Sequence, residues 1–547
     1  MSGIAKSTSH DPQEIVRQVR AGTLSRRGLL KMFGVSAASA GLMAAGQTRS
    51  SARGNLYDYV IVGAGSAGCT LAARLLADSQ ASVLLIEAGG SNDLPEVRDF
   101  TKAGTLTAPG SPLNWPLQSE PQPALMNRPQ SFVCGKLAGG SSSINGMVWV
   151  LGNPADYDNW AKQGAEGWDY ANVRPSLDAL TGPILPSDEL TRRNALSRAT
   201  LSAAVDLGYP YNPDYNGASQ FGVGYTRLNV LNGIRQDAFT TFLAPHLTDP
   251  RLTVVTDAHV TRLTFDSQNV IDRVVIESGE GQYTVKAEQE VIVSTGSVHT
   301  AQLLQLSGIG AAGDLEPHGI DVVTDLPGVG ANLHDHLISV VSRGLRVPEP
   351  ESHITAMDVN IFTGSGRVPG APRFEFQTYY SRVGYAPAPD ESMSIGVMNL
   401  HPTSRGYVKL RSADPYTPPV IQPNFLQTQE DLENSLEGFE LSLELMGAEG
   451  LREWVKDENA VPDTPITTRE ERIAALRAFS QSDFHAVGTC RMGIDALAVV
   501  DPQLRVRGVG GLRLASAAIM PSITSGNTNA PSMMIGDRCG RLILGRG

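Results

Sequence analysis

The chain has little of the residue types that build metal or disulfide frameworks. Its four cysteines, Cys69, Cys134, Cys490 and Cys539, are scattered through 547 residues and form no CxxC pair. That excludes a zinc-ribbon type of site and a disulfide scaffold. The formal net charge is −12, without the clustered Lys and Arg that a nucleic-acid footprint needs. No tandem repeat is present, and after residue 50 no apolar run reaches the roughly 20 residues of a membrane-spanning helix. Histidine is scarce, with 10 in all. What remains is 41% hydrophobic and 18% charged residues with 56 glycines, the composition of a globular, turn-rich protein. The length predicts two or more interlocking domains.

The first fifty residues form a separate object. In "LSRRGLLKMFGVSAASAGLMAAG" a serine precedes Arg26 and Arg27, and Leu29, Leu30 and Lys31 follow. The small and apolar stretch from Met32 to Gly46 is too short to span a bilayer. The layout resembles a twin-arginine secretory signal, so export to the periplasm or medium is expected, with cleavage between Ala38 and Ala52. That route carries folded proteins, which suits a protein that takes up a cofactor before export.

A nucleotide site is predicted directly afterwards, in "YDYVIVGAGSAGCTLAARLLADSQASVLLIEAGG". Tyr59 to Val62 reads as a buried parallel strand. Gly63, Gly65 and Gly68 fit G-x-G-x-x-G around Ser66 and Ala67, Cys69 to Asp78 has helical spacing, and Glu87 ends a second strand, Val83 to Ile86. The glycines allow a tight turn, close approach of backbone to a pyrophosphate, and close helix–strand packing. The helix N-terminus favours phosphate, and Glu87 accepts from a ribose hydroxyl. Position alone does not separate FAD from NAD.

Four further stretches do. "GKLAGGSSSINGMVWVLGNPADYDNW" from Gly135, "STGSVHTAQLLQLSGIG" from Ser294, "QSDFHAVGTCRMG" from Gln481 and "LASAAIMPSITSGNTNAPSMMIGDRCGRLIL" from Leu514 resemble the glucose–methanol–choline (GMC) oxidoreductases, in order and spacing, over nearly all of the chain after residue 55. The resemblance implies an α/β protein in which a Rossmann-like FAD-binding domain (55–165, 230–335 and 480–547) interleaves with an antiparallel-sheet substrate domain (166–229 and 336–479). It places Leu137, Ser141, Asn145, Gly146, Met147 and Val148 along the flavin and Val260 at the adenine. His485 falls on the catalytic histidine and Asn527 on its partner. Ile144 stands where some members attach FAD through histidine, which implies noncovalent FAD. The implied activity is oxidation of a small alcohol, with oxygen, a quinone or a cytochrome as electron acceptor. Non-redox lyases or light-driven decarboxylases on this fold, or an inactive flavin binder, are the alternatives. The substrate itself is not legible.

The chemistry agrees with these roles. By itself a lone histidine beside apolar residues is more often structural, but a neutral imidazole is the right base for an alcohol hydroxyl near neutral pH. An Asn amide 42 residues on can orient the same oxygen. "NAPSMMIGDRCGRL" reads as a helix with Pro531 in its first turn, and Asn529 as a turn and cap residue. His334 and His336 in "NLHDH" lack an evident third ligand, so no metal is expected. The chain departs from the family pattern at Leu151 (usually Arg), Ser516 (Asp), Ala486 (Pro), Ala138 (Leu) and Ala301 (Pro). Loss of the aspartate contact at Ser516 is expected to weaken FAD binding by about 1–3 kcal/mol.

Overall fold

The computed structural model describes residues 56–192, 195–346, 357–380 and 392–546. The twin-arginine segment lies outside the described residues.

The chain passes repeatedly between two sheets. It starts with β1 (Leu56–Val62), α1 (Ser66–Asp78) and β2 (Val83–Ile86), then lays down β3 (Gly222–Tyr225) far away. Strands β4 (Leu252–Val255), β5 (Ala258–Phe265), β6 (Ile271–Ser278) and β7 (Gly281–Val293) follow, and α2 (Gly296–Leu306) after them. Next come β8 (Leu337–Leu345), β9 (Val359–Ser365), β10 (Pro372–Tyr379), β11 (Ser392–Asn399) and α3 (Gln429–Met446). The chain ends with β12 (Val455–Val461), β13 (Ser480–Ser482), β14 (Leu512–Leu514) and α4 (Asn529–Ile543).

The first sheet has the order β4-β2-β1-β7-β6-β5, with β14 also on β7. Its β4, β2, β1, β7 and β14 are parallel, while β5, β6 and β7 pair antiparallel. Strand β7 serves both halves. Its first residues alternate between wet and buried, as in a sheet with one solvated face, and its last three are wholly buried beside β1. The second sheet, β12-β8-β11-β10-β9-β3 with β13 on β8, is antiparallel throughout. The fold is therefore α/β, a doubly wound nucleotide-binding sheet joined to an antiparallel one.

Ser480–Ser482 pairs with Leu337–Ser339 of the second sheet. Tyr407–Lys409 pairs with Val420–Gln422 in a separate ribbon. Arg373–Tyr379 lies in a central strand of the second sheet, β10.

Helices α1 and α4 pack almost backbone to backbone. A Cβ on Gly536 would stand 2.1 Å from the Ala67 carbonyl oxygen, so only glycine allows the contact. Thr70 donates to the Met533 carbonyl at 2.9 Å, and Arg74 pairs with Asp537 at 2.6 Å. This brings the two N-termini together, with Ser66 Oγ donating to Asn529 Oδ1 at 2.8 Å. Among the described residues no helix is long and apolar enough to cross a membrane.

Candidate active site

A cavity of about 330 Å³ runs past the N-terminus of α1 to His485. Gly63, Gly65, Ser66, Ala67, Glu87, Ser141, Asn145, Gly146, Met147, Val148, Val260, His485 and Asn527 all line it. Gly68 and Leu137 do not. Gly68 works behind the wall, where a Cβ would stand 2.0 Å from the Gly63 carbonyl oxygen and push α1 off β1. Leu137, expected along the flavin, packs in an apolar cluster with Val97, Leu106 and Ile144, and Ile144 itself lines the cavity.

The wall fits a dinucleotide. Gly63 has φ +99°, and its Cβ would strike the Ser294 carbonyl at 2.7 Å. A Cβ on Gly65 would meet no neighbouring atom within 4 Å, so the wall leaves open space there, at the N-terminus of α1. No side chain caps α1, which leaves its first amides free for phosphate. Glu87 accepts from the amides of Ala64 and Gly89, both at 2.9 Å. Burial pushes its carboxyl up to about 7 against those amides. Asn529, expected as a cap, makes no cap bond. Its Nδ2 and the Ser294 Oγ are buried on the cavity wall without a protein partner. Both are donors aimed where a polar ligand would lie. Trp115, His259 and His299 stand on the wall beside Val260, with Trp115 4.4 Å from His299 between ring centroids. Asn145 is held by Arg235, whose Nη1 donates to its backbone and side-chain oxygens at 2.7 Å. Ile144 is buried on the wall, and Ser516 Oγ accepts from the Ala518 amide at 3.3 Å.

At the other end sits a directed chain of hydrogen bonds. His336 Nε2 lies 3.1 Å from the Leu400 carbonyl, which can only accept, so this nitrogen carries the proton. The neutral His336 then offers a lone pair at Nδ1, 3.1 Å from His485 Nδ1. His485 must therefore be protonated at Nδ1, and its Nε2 keeps a lone pair. Asn527 Nδ2 donates to that Nε2 at 3.1 Å. Asn527 Oδ1 accepts from Gln377 Nε2 at 3.4 Å, and Glu375 Oε1 accepts from the same nitrogen at 3.0 Å. Every polarity in the chain follows from the carbonyl at one end and the carboxyl at the other. Burial pushes the His485 imidazole down to about 3 and the Glu375 carboxyl up to about 7. His485 is thus a neutral imidazole whose one in-plane lone pair, at Nε2, accepts from Asn527 on the cavity wall.

Asp335 fixes the loop that carries it. Its Oδ1 accepts from the His485 amide at 2.8 Å, and its Oδ2 from Ser482 Oγ, which also accepts from the Phe484 amide. Phe484 is held at φ +64° between them, and Met147 across the cavity at φ +64°. Non-glycine residues in the left-handed region cost about 1–3 kcal/mol and persist at sites where geometry matters.

The residues that sequence reasoning passed over are Asp335, His336, Glu375, Gln377 and Asp483. His336 belongs to "NLHDH", weighed there only as a metal pair. His334 has its own partners, with Nδ1 donating to the Asn332 carbonyl at 2.7 Å and Nε2 accepting from the Ile523 amide at 2.9 Å.

Comparison with known proteins accords with this geometry. The GMC oxidoreductase models match residues 57–338 and 402–536. The alcohol dehydrogenase (acceptor) of Pseudomonas putida is 34% identical over 89% of this chain and 96% of its own length. Human mitochondrial choline dehydrogenase is 36% identical over 90% of both chains. Pyridoxine 4-oxidase from Mesorbium loti superposes with a TM-score of 0.83 at 29% identity, over 88% of this chain and 98% of that one. A variant of Aspergillus oryzae formate oxidase studied for FAD modification superposes with a TM-score of 0.82 at 26% identity, over 90% and 99%. The cofactor is FAD, and the chain belongs to the GMC oxidoreductase family.

Proposed function

We propose that this protein oxidises an alcohol to an aldehyde or ketone, with His485 as the base and noncovalent FAD as the hydride acceptor. The observation that carries the reading is the directed chain from Leu400 through His336 to His485, which leaves a lone pair on His485 Nε2 toward the cavity. The substrate hydroxyl would take the place beside Nε2 and Asn527 Nδ2. Nε2 removes its proton while the Asn527 amide orients the oxygen. Bound FAD supplies an electrophilic ring position for the hydride leaving the carbinol carbon. His485 Nδ1 keeps its proton throughout, donated to His336. The substrate hydroxyl displaces the Asn527 donor from Nε2, while the His336–His485 bond that fixes the tautomer stays in place.

FAD has no histidine to bond at residue 144, since Ile144 occupies that place on the wall. Acid or heat denaturation should therefore release the flavin into the supernatant. The twin-arginine layout at Arg26 and Arg27 supports export of the folded holoprotein to the periplasm or medium.

The deciding experiment is His485→Ala. Anaerobic reduction of the flavin by alcohol should slow by roughly 10²–10⁴-fold with the flavin still bound. Loss of flavin or fold, with no separate effect on reduction, would assign His485 a structural role.

A further inference from the structure

The stretch "GNPADYDNW" carries a buried acid that alcohol oxidation as described does not use. Asp156 stands in the first turn of the helix Pro154–Lys162, where its Oδ2 accepts from the Asn153 amide at 2.9 Å as half of a capping box. The residue is 1% exposed and takes three further donors. Oδ2 also accepts from the Ser525 amide at 2.6 Å, and Oδ1 accepts from Ser525 Oγ at 3.0 Å. His401 Nε2 lies 2.8 Å from Oδ1 and donates to it, because this oxygen already accepts from the serine. The cluster is no nucleophile relay. Asp156 and Ser525 meet the same nitrogen of His401, so no second nitrogen faces the serine as a base, and Ser525 is fully buried.

What the cluster holds is both ends of the chain from Leu400 to Asn527. Ser525 stands two residues before Asn527. Gly526 between them is at φ +107°, and a Cβ there would strike Val150 Cγ1 at 2.6 Å, so the turn is seated directly on Val150. The Ser525 carbonyl is held as well, by Gln220 Nε2 at 2.9 Å. At the other end, the carbonyl that receives the His336 proton belongs to the peptide bond between Leu400 and His401. The bond from Gln377 to the Asn527 side chain is 3.4 Å long, too long to aim the amide by itself, so that task falls to the main chain.

Resting on the alcohol-oxidation reading, we propose that Asp156 is a positioning residue of the reaction, which through Ser525 and His401 holds the Asn527 amide and the Leu400 carbonyl in place around His485. One carboxyl group closes the hydrogen-bonded chain into a ring. Asp156 touches no substrate, since none of Asp156, His401 and Ser525 lines the cavity. It acts on where the Asn527 amide stands beside His485 Nε2, and a misplacement of about 1 Å in such a pair costs on the order of 10²-fold in rate.

Asp156→Asn would set an amide N–H against two buried donors and destabilise the fold, so the test removes donors instead. It uses purified holoenzyme carrying Ser525→Ala, His401→Leu, His401→Gln or Asn527→Ala, and Ser525→Ala combined with Asn527→Ala. The probe is benzyl alcohol or butan-1-ol, whichever reduces the wild-type flavin faster. The readout is the anaerobic flavin reduction rate at saturating alcohol, beside flavin content. Ser525→Ala and His401→Leu should each slow reduction by about tenfold or more with the flavin still bound. His401→Gln keeps an N–H for Asp156 and should recover most of that loss. Where Asn527 is already alanine, Ser525→Ala should cost less than about twofold, because the group it positions is gone. Equal losses in the two backgrounds, no loss in either, or a loss that only follows the flavin content overturns the positioning role while leaving alcohol oxidation standing. Failure of every alcohol to reduce the wild-type flavin overturns both.

Discussion

Two glycines of the nucleotide motif should separate when each is replaced by alanine, because one is required by the protein and the other by its ligand. At Gly65 the backbone is at φ −80° and ψ −165°, open to any residue, and an added Cβ meets no atom within 4 Å. Gly65→Ala should therefore leave the FAD-free fold intact. By restricting the unfolded chain it should even stabilise that fold by about 0.4–1 kcal/mol. The methyl group instead occupies space at the uncapped N-terminus of α1, where a pyrophosphate must come within hydrogen-bond distance of the amides. Losing one charge-assisted bond there costs about 1.5–3 kcal/mol, or roughly 10–150-fold in FAD affinity. At Gly68 the same methyl stands 2.0 Å from the Gly63 carbonyl oxygen and 3.4 Å from the Ser294 Cβ. Relief requires α1 to move off β1, so Gly68→Ala should destabilise the protein with or without flavin, by about 1–3 kcal/mol or more. Urea unfolding in FAD-free buffer reads the first quantity and flavin fluorescence titration the second. FAD binding by Gly65→Ala within twofold of wild type would refute the assignment of that open space to the cofactor. So would a destabilised FAD-free protein.

Three other perturbations test separate parts of the argument. His336→Phe removes the acceptor for the His485 Nδ1 proton, which leaves a buried N–H unpaired and frees the unreactive tautomer, so flavin reduction should slow by about 10-fold or more for an imbalance of about 1–3 kcal/mol, with flavin content unchanged; an unaltered rate would show that His336 does not set the tautomer. Ser516→Asp keeps an acceptor for the Ala518 amide and adds a carboxylate to the cavity wall, so FAD should bind more tightly and the melting temperature at fixed FAD should rise; weaker binding would mean that other contacts hold the cofactor there. Replacing Arg26 and Arg27 together by lysine should retain active holoprotein in the cytoplasm on cell fractionation, and undiminished export would remove the twin-arginine reading.

What could be read from the sequence was whatever is local along the chain. The glycines, α1, β2 and Glu87 follow within 32 residues of each other from Leu56 to Glu87, and their spacing states their geometry. The α4 helix announced itself through its turn residues and proline. The support for His485 could not be read in that way, because it depends on which residues of distant strands meet. Strand β10 did carry a signal. Phe374 and Phe376 point into the core, while Glu375, Gln377 and Tyr379 alternate with them on the other face of a strand that is nearly all buried. Polar residues at i, i+2 and i+4 on a buried strand share a face and need partners there, so that face belongs to a site.

The neutral state of His485 is a consequence of strand register. Strand β13 pairs Ser482 with Leu337, and the pairing continues as Asp483 with His336. It resumes at Val487 opposite His334. From His336 back to His334 is two residues, whereas from Asp483 to Val487 is four. The surplus is taken up by a bulge at Phe484, held left-handed by the Ser482–Asp335 contact. Bulges bend a strand and re-aim its side chains. This one turns His485 out of the ladder, with Nδ1 against His336 and Nε2 toward the cavity. A slip of one residue would offer Asp335 or Leu337 to His485 instead of an imidazole. A carboxylate would raise the basicity of His485 and bring it closer to protonation in the resting enzyme, while leucine would leave its Nδ1 proton unpaired. An imidazole whose own proton is committed to the Leu400 carbonyl fixes the tautomer without adding charge. The neutral imidazole of His485 therefore depends on the bulge and on the second sheet that supplies β8 and Leu400, and not on any residue of the nucleotide motif.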